Sequence, residues 1–247
     1  METDPRAPQV LIIVPAYNEE RSLPRVLAAI KEKAPAYDVL VVNDGSSDGT
    51  SGAARAGGAS VIDLSFNLGI GGAIQTGFKY ALRQGYRLVV QVDADGQHPP
   101  EEIQKLVEPV LRDAYDVVIG SRFLERTDYR GSRRRRLMIA FLSWLCSRFA
   151  GGMITDCTSG FRAFSHRAVA FLASNYDAEY PEPKSIPALA RRGMRIKEVS
   201  VNMRERASGI SSLSGLKALL YAMNVTLALL VDSIRTRPSQ AIGEDRP

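Results

Sequence analysis

Two aspartates separated by one alanine follow a run of aliphatic residues in the stretch VQVDADGQHPPEE. The residues from Leu88 to Val92 read as a buried strand of the kind found in parallel sheets. Asp93 and Asp95 come just past its end, where an extended chain points both side chains the same way. Two such carboxylates repel each other unless a cation or a hydrogen-bonded ligand lies between them. The pattern therefore indicates a ligand or metal site, and a solvated loop with two acids is the simpler alternative.

Acidic residues also follow two other predicted strands. Glu19 lies in the turn VPAYNEE after the first strand, and Asp44 lies in VVNDGSSDGT at the end of the second. Because the carboxyl ends of parallel strands meet at one edge of a sheet, these acids converge on Asp93 and Asp95. A tight turn explains the DGS sequence almost as well, but independent turns would not require the convergence.

The glycine-rich stretch NLGIGGAIQTG offers a rival interpretation. It resembles the turn of dinucleotide-binding proteins, with an acid roughly 20 residues downstream. However, Ile74 stands where that motif needs a small residue to let the helix approach the sheet. We therefore disfavour a nicotinamide-dependent oxidoreductase and expect the glycines to permit close backbone approach to a ligand or a neighbouring helix.

Periodicity and turn residues predict strands that alternate with helices over the first half of the chain, which is typical of an α/β protein with a mostly parallel sheet. After Gly120 the rhythm changes. The sequence there predicts an apolar helix at Leu137–Phe149, an irregular stretch TDCTSGFRAFSHR, a helix near Ile186–Arg192, a strand at Ile196–Val201 and a long apolar helix at Leu216–Ile234.

The 247 residues, 45% of them hydrophobic, suffice for one large core. We expect a single domain at residues 9–236, between a flexible N-terminus at 1–8 and a disordered tail at 237–247. Within the domain, residues 9–120 would hold a nucleotide and residues 121–236 an acceptor.

The net charge of +5 is concentrated in one segment. Seven arginines and two acids lie between Ser121 and Arg136, so this segment alone carries the excess. Such a run is usually a solvated loop, but it can also bind nucleic acid, anionic lipid or a phosphorylated substrate. No aromatic residue interleaves Arg133–Arg136 as stacking on bases would require, so we expect no nucleic-acid partner.

Cys146 and Cys157, the only cysteines, are too few for a disulfide framework and lack metal-ligand spacing, which fits a reducing cytoplasm. The N-terminal residues show no export signal, and no stretch reaches the roughly 20 apolar residues that span a bilayer. We expect a cytoplasmic protein that is neither exported by that route nor integral to a membrane.

Seven motifs, in order, resemble those of the family 2 glycosyltransferases of the GT-A fold, and among them the polyprenyl-phosphate sugar synthases typified by dolichyl-phosphate mannose synthase. They are VPAYNEE, VVNDGSSDGT, NLGIGGAIQTGFKYA, VDADGQHPPEE, VIGSRF, TSGFRAF and EVSVNMRERASGISSL. The resemblance extends from Val10 to Leu213. It implies a GT-A (Rossmann-like) fold, a UDP- or GDP-sugar donor, Mg²⁺ or Mn²⁺, inversion at the anomeric carbon and a lipid-phosphate acceptor.

The resemblance also implies roles for single residues. The positions that hold the nucleoside are Pro15, Tyr17, Glu19, Val42 and Asp44. The metal-and-diphosphate motif is matched by Asp93, Ala94 and Asp95, with Gln97 at the second metal-side position. Such oxygen ligands suit a divalent cation that neutralises a leaving diphosphate.

Two arginines complete the implied catalytic set with Asp95. Arg122 matches a residue that contacts the diphosphate, and Arg206 one that engages phosphate near the acceptor. Both can grip phosphate oxygens bidentately, although Arg206 could also simply pair with Glu205. Ser212 stands where the family has a basic residue, which weakens the case for an identical phosphate pocket.

Two helices are apolar over arcs wider than one core requires. In the first, a narrow polar stripe is formed by Arg136, Ala140, Ser143 and Ser147, and the helix at Leu216–Ile234 behaves alike. Burial in the core or in a dimer interface is one explanation. The other is a pair of interfacial helices that rest among lipid headgroups, with the arginine run on anionic lipid. This favours a peripheral protein at the inner membrane face, where a small membrane-protein subunit or a homodimer could assist.

The combined prediction is a hexosyltransferase that uses a polyprenyl phosphate, with transfer to a carbohydrate or small-molecule hydroxyl as the alternative. A hydroxyl acceptor needs a general base, and the acids at a plausible distance along the chain are Asp177, Glu179 and Glu182. Of the two histidines, His98 adjoins the metal motif as a ligand, an orienting group or a packing residue, and His166 is expected to be structural.

Overall fold

The computed structural model describes residues 10–125, 133–204 and 216–234. Within these ranges the chain forms seven strands and eight α-helices. The strands are β1 (Val10–Ala16), β2 (Asp38–Asn43), β3 (Ser60–Asp63), β4 (Leu88–Gln91), β5 (Val117–Ser121), β6 (Arg162–Ser165) and β7 (Ile196–Ser200). The helices are α1 (Leu23–Lys33), α2 (Thr50–Ala56), α3 (Gly69–Arg83), α4 (Ile103–Leu111), α5 (Arg133–Ala150), α6 (His166–Asn175), α7 (Pro181–Ala190) and α8 (Leu216–Ile234).

The strands form one sheet in the order β3-β2-β1-β4-β6-β5-β7. All neighbouring pairs are parallel except those that β6 makes with β4 and β5. The predicted α/β class with a mostly parallel sheet is confirmed. Since β1, β2 and β4 run in one direction, their carboxyl ends share an edge, where Ala16 pairs with Asn43 and Ile13 with Gln91.

Both faces of the sheet are covered, and this explains the continuous apolar runs in the sequence. Leu11 and Ile13 of β1 enter the core that lies under α3, α5, α6, α7 and α8. Val10, Ile12 and Val14 enter a second core under α1 and α4. A strand that is buried on both faces cannot show an alternating pattern.

Glycines bring α3 close to its neighbours. A Cβ on Gly77 would lie 2.6 Å from Cδ1 of Ile13, and one on Gly71 would lie 2.2 Å from the backbone oxygen of Asp177. These glycines therefore permit close approach, but to strand β1 and to the segment before α7 and not to a neighbouring helix as expected. Ile74, which breaks the dinucleotide motif, is fully buried in the core instead.

The irregular stretch predicted for residues 155–167 is wrong in its second half. Residues Arg162–Ser165 form β6, and α6 begins at His166, with the Ser165 hydroxyl accepting a hydrogen bond from the backbone N–H of Ala168. Four residues are too short for periodicity to reveal a strand, and the arginine at its first position argues against a buried one.

The prediction for α7 placed the helix too late. The helix runs over Pro181–Ala190 and not Ile186–Arg192. Its proline-rich start read as a loop, but Pro181 occupies the first helical turn, where a missing N–H costs no hydrogen bond. The earlier start brings Glu182 into the first turn of α7.

Candidate active site at the carboxyl edge of the sheet

The loops after β1 and β2 hold each other by hydrogen bonds. Asn18, whose φ is 55°, donates its N–H to Oγ of Ser46 at 2.9 Å and accepts from the N–H of Ser47 at 2.9 Å. The N–H of Glu19 donates to Oγ1 of Thr50 at 2.9 Å. The two turns that were predicted separately from the sequence thus form one interlocked unit.

Asp44 is buried at the centre of this unit. Its N–H donates to the backbone oxygen of Ala16 at 2.8 Å, and its Oδ1 accepts from the N–H of Leu68 at 2.7 Å. Gly45 follows with φ +67°, and a Cβ there would lie 2.7 Å from the carbonyl carbon of Phe66. The end of β1 therefore fixes the backbone of Asp44 and the loop after β3 fixes its carboxylate, which is the preorganisation that ligand recognition requires.

The other residues expected to contact the nucleoside differ in exposure. Tyr17 is 51% exposed at the end of β1 and can present its ring to a planar base. Glu19 and Pro15 are half-buried, and the hydroxyl of Ser22 donates a short hydrogen bond to the Glu19 carboxylate. Val42 is fully buried, so any contact it makes with a ligand must come from its backbone.

The turn after β4 places the DAD sequence at the same edge of the sheet as Asp44. Oδ1 of Asp95 accepts from the N–H of Gln97 at 2.9 Å, and Gly96 has the left-handed φ of +80° that closes this turn. Ala94 is buried, and Asp93 keeps 28% of its side chain exposed. The pair of carboxylates thus reaches the predicted edge, with the second one anchored to its own turn.

His98 orients this turn from behind. Its Nδ1 accepts from the N–H of Asp93 at 3.0 Å, its Nε2 lies 3.6 Å from Oδ2 of Asp93, and its ring stacks on Phe161 with centroids 4.8 Å apart. An accepting Nδ1 assigns the ring proton to Nε2. Both nitrogens therefore serve Asp93, which supports the orienting role over that of a metal ligand.

The donor set at this turn fits a hard cation that takes most of its ligands from a substrate. Within the described residues, no group of three or more His, Cys, Asp or Glu side chains could hold a metal by itself. Asp95 and Gln97 offer carboxylate and amide oxygens, which Mg²⁺ and Mn²⁺ prefer. Mg²⁺ is commonly bound by one or two carboxylates together with phosphate oxygens.

Arg122 lies just past β5 in a buried ion pair that the sequence did not indicate. Its Nε lies 2.6 Å from Oδ2 of Asp156 and its Nη2 lies 2.7 Å from Oδ1, while Nη2 also donates to Oγ1 of Thr158 at 2.9 Å. The Asp156 carboxylate is completely buried. This bidentate grip fixes the plane of the guanidinium group.

Glu198 of β7 holds the loop that carries Asp156. Its carboxylate accepts from the N–H of Thr155 at 2.7 Å and from the N–H of Asp156 at 2.8 Å. Burial raises the pKa of Glu198, and these hydrogen bonds lower it in part. Arg206, the other predicted arginine, lies outside the described residues, as does Ser212.

The apolar arc of α5 is divided between core and surface. Ile139, Leu142 and Cys146 are buried, whereas the second face, formed by Leu137, Phe141 and Trp144, is exposed. The corresponding exposed face of α8 consists of Leu220, Met223, Leu227, Leu230 and Val231. No helix in the described part of the chain is long and apolar enough to cross a bilayer.

A groove with a volume of about 960 Å³ runs beside α5. It combines apolar walls from Trp144 and Met153 with three arginines, Arg133, Arg136 and Arg148. Its far end reaches Thr155, whose hydroxyl lies 2.6 Å from that of Ser121, the residue before Arg122. An amphiphilic anion matches a groove of this composition.

The chain is similar in sequence to known proteins over most of its length. The model of the family described as Glycosyl transferase family 2 matches residues 11–172. An undecaprenyl-phosphate mannosyltransferase of Micrococcus luteus is 37% identical over 93% of this chain and 98% of its own. A polyprenol monophosphomannose synthase of Mycolicibacterium smegmatis is 34% identical over 84% of this chain and 82% of its own.

Among solved structures, the fold resembles glucosyl-3-phosphoglycerate synthase of Mycobacterium tuberculosis, crystallised with Mn²⁺, UDP and phosphoglyceric acid. The TM-score is 0.69, with 22% identity over 94% of this chain and 81% of that one. At this identity the likeness establishes the fold alone.

Proposed function

The chain belongs to glycosyl transferase family 2, and from that membership we propose that it transfers a hexose from a UDP- or GDP-sugar to a polyprenyl phosphate. The observation that carries the proposal is the shared edge of β1, β2 and β4, where Asp44, Asp93 and Asp95 are held in place. The names of the two bacterial relatives, a mannosyltransferase and a mannose synthase that use polyprenyl carriers, support the acceptor class.

The roles of the site residues follow from charge. Tyr17, Glu19 and Asp44 would contact the nucleoside, and Asp95 with Gln97 would hold Mg²⁺ or Mn²⁺ against the diphosphate. The cation, when bound, neutralises negative charge on the leaving diphosphate. Arg122, fixed by Asp156, would add a cationic donor on the same leaving group. Arg206 stays a candidate for the acceptor phosphate.

The acceptor side is consistent with an amphiphilic phosphate. The groove beside α5 has both apolar walls and arginines, and it ends near Arg122. A phosphate monoester is already anionic at neutral pH, so it attacks without a general base. We place the enzyme at the inner face of the membrane, with the exposed faces of α5 and α8 on the lipid surface or on a small membrane subunit or second copy.

A nucleotide screen followed by a transfer assay tests the proposal. Stabilisation of RT ln(1 + [L]/Kd) should single out UDP- or GDP-sugars, and it should require Mg²⁺ or Mn²⁺. With the selected donor and undecaprenyl phosphate, radiolabelled hexose should appear in the organic phase as a lipid-linked phosphodiester. Transfer to sugar hydroxyls but not to the lipid phosphate would refute the proposed acceptor.

A further inference from the structure

A cluster of polar side chains lies in the core directly behind Asp93. Gln91 of β4 and Arg162 of β6 are register partners in an antiparallel pair, and both are completely buried. Directly opposed residues point to the same face of a sheet. The cluster therefore places an amide and a guanidinium group side by side beneath the predicted metal turn.

The guanidinium group of Arg162 forms most of its hydrogen bonds with backbone oxygens. Its guanidinium donates to the backbone oxygens of Cys157 at 2.8 Å, Ser159 at 2.7 Å and Glu182 at 3.1 Å, and to Oγ of Ser185 at 2.9 Å. All of these acceptors are uncharged. The arginine thus fixes the first turn of α7, where Glu182 lies, and leaves a buried positive charge next to it.

Several polar atoms of this cluster are buried without satisfying partners. Both amide atoms of Gln91, Oδ1 of Asp93 and the hydroxyl of Tyr176 make no hydrogen bond of normal geometry within the described chain. A Cβ on Gly160 would lie 2.8 Å from Nε2 of Gln91 and 3.4 Å from Oδ1 of Asp93, so the amide and the carboxylate lie together. Unsatisfied buried groups are rare and indicate a missing partner.

Glu182 is half-buried beside this cluster, since its backbone oxygen accepts a hydrogen bond from Arg162 at 3.1 Å. Burial raises the pKa of its carboxyl group, the charge of Arg162 lowers it and the charge of Asp93 raises it. The Gln91 amide also approaches Glu182 and lowers this pKa, although the contact lacks the geometry of a full hydrogen bond. The carboxylates of Asp93 and Glu182 are therefore close enough for the charge of one to act on the other.

The polar groups of this cluster indicate which kind of ligand it binds. The two carboxylates accept hydrogen bonds, while the amide and the phenol both donate and accept. Sugar hydroxyl groups match such a set, because each can donate to a carboxylate and accept from a neighbour. Position agrees as well, since the hexose of a nucleotide sugar is bonded to the phosphate that Asp95, two residues beyond Asp93, would approach through the metal.

We propose that Asp93 and Glu182 bind hydroxyl groups of the donor hexose, and that Arg162 positions Glu182 by holding the first turn of α7. Glu182 is then a residue that determines which hexose is transferred. This inference rests on the proposed function, since it presumes a nucleotide-hexose donor. It gives Glu182 a part in ground-state recognition of the sugar and no part in proton transfer.

The test compares the affinity for a nucleotide sugar with that for its nucleotide diphosphate. UDP-glucose, UDP-galactose and GDP-mannose are titrated with Mn²⁺ into the wild-type protein, Glu182→Gln and the control Glu179→Gln, whose side chain is exposed three residues earlier. For the sugar that the wild type prefers, Glu182→Gln should weaken binding by about 10- to 100-fold, as expected when a hydrogen bond to a charged group is lost. Affinity for UDP or GDP should stay within about twofold in every variant.

Selectivity gives the second readout. The ratio of kcat/KM between epimeric donors should change by roughly tenfold or more in Glu182→Gln. If Glu182 had only a structural role, kcat/KM would fall by the same factor for every donor. Glu182→Asp keeps the negative charge but shortens the side chain by one methylene group. If Glu182→Gln does not fold, Glu182→Asp should show the same selective loss. Equal losses for the sugar and the diphosphate, or no loss, would overturn the inference.

Failure of the proposed function gives a different result. A wild-type protein that binds nucleotide hexoses but leaves undecaprenyl phosphate unmodified would refute the acceptor, while the binding comparison would still decide the role of Glu182.

Discussion

The proposed donor side of the sheet and the proposed acceptor side meet opposite requirements. On the donor side, the loops after β1 and β2 bind each other, and Asp44, Asp95 and His98 each accept a backbone hydrogen bond that fixes them. On the acceptor side, α5 and α8 expose rows of large apolar residues, and exposed arginines begin α5. The donor-side loops are fixed by hydrogen bonds, whereas α5 and α8 present apolar surface that the described chain does not cover.

The difference separates two kinds of recognition. A nucleotide sugar is small and charged, so a rigid set of carboxylates and amides gains most by being preorganised. A lipid acceptor stays in its membrane, so the enzyme must bring an apolar and cationic surface to it. Changes on the donor side should therefore lower kcat without changing membrane binding. Changes on the exposed helices should lower membrane binding without changing kcat.

The largest effect is expected at Asp95. Asp95→Asn removes the charge that would hold the cation, and we expect turnover to fall by roughly 10³-fold or more, since metal and diphosphate stabilisation are lost together. Because the amide oxygen of asparagine can still accept the hydrogen bond from the N–H of Gln97, the melting temperature without ligand should change little. Turnover that persists in this variant with chelator present would refute the metal assignment.

The ion pair of Arg122 and Asp156 should give the next largest effect. Asp156→Ala leaves the Arg122 guanidinium buried without its carboxylate, which should cost about 3 to 5 kcal/mol of unfolding free energy. Turnover at a temperature where the variant is folded should fall by about 10²-fold, because the arginine loses its fixed plane.

A surface pair supplies the control for this experiment. Arg112→Ala removes the partner of Glu108 on α4, where both side chains are largely exposed, and should cost less than about 0.5 kcal/mol. Urea unfolding measures both variants. Equal destabilisation by the two changes would mean that the buried pair has no special role.

The contrast also explains what the sequence could reveal. The strands β1, β2, β4 and β5 were predictable because burial on both faces gives aliphatic runs, and the turn acids were predictable because parallel strands end at one edge. Asp156 lies 34 residues from Arg122, and no local pattern links them. Likewise, β6 is short and carries a buried arginine, so only its antiparallel pairing with Gln91 explains why Arg162 lies there.

Site residues were missed for the same reason. Gln91 lay within a predicted strand and Gly160 within the TSGFRAF motif, and the sequence assigned neither residue a role. Their importance depends on contacts between β4, the loop before β6 and α7, which meet only in the folded chain. The nearest signal was the TSGFRAF motif, which marked the segment without indicating what it touches.

Membrane binding tests the acceptor side. Arg133, Arg134 and Arg136 are exposed at the start of α5. Replacing all three by glutamine should reduce co-sedimentation with anionic vesicles about tenfold or more at low salt, since each charge contributes about 1 kcal/mol near such a surface. Because Arg133 and Arg136 also line the groove beside α5, KM for a short, water-soluble prenyl phosphate should rise, whereas kcat should be retained.

A matched control removes the same charge from the other face of the sheet. Arg21, Arg25 and Lys31 lie exposed in and before α1, and their replacement by glutamine should leave sedimentation nearly unchanged. If both triple variants lose binding equally, the attraction is one of net charge and α5 is not the docking face.

The smallest effect should come from the acids near α7, and it distinguishes a phosphate acceptor from a hydroxyl one. Asp177 is paired with Lys184 at 2.5 Å. Burial raises the pKa of the Asp177 carboxyl group, but its hydrogen bonds and the charge of Lys184 lower it by more, so the pKa is lowered overall and Asp177 is a poor base. Glu179 is exposed, and Glu182 would bind the sugar. We expect each amide variant to reduce kcat at saturating donor by less than about tenfold, against the 10² to 10⁴-fold that a general base typically contributes. A hundredfold fall in kcat with donor binding intact would identify a base, and the acceptor would then be a hydroxyl group.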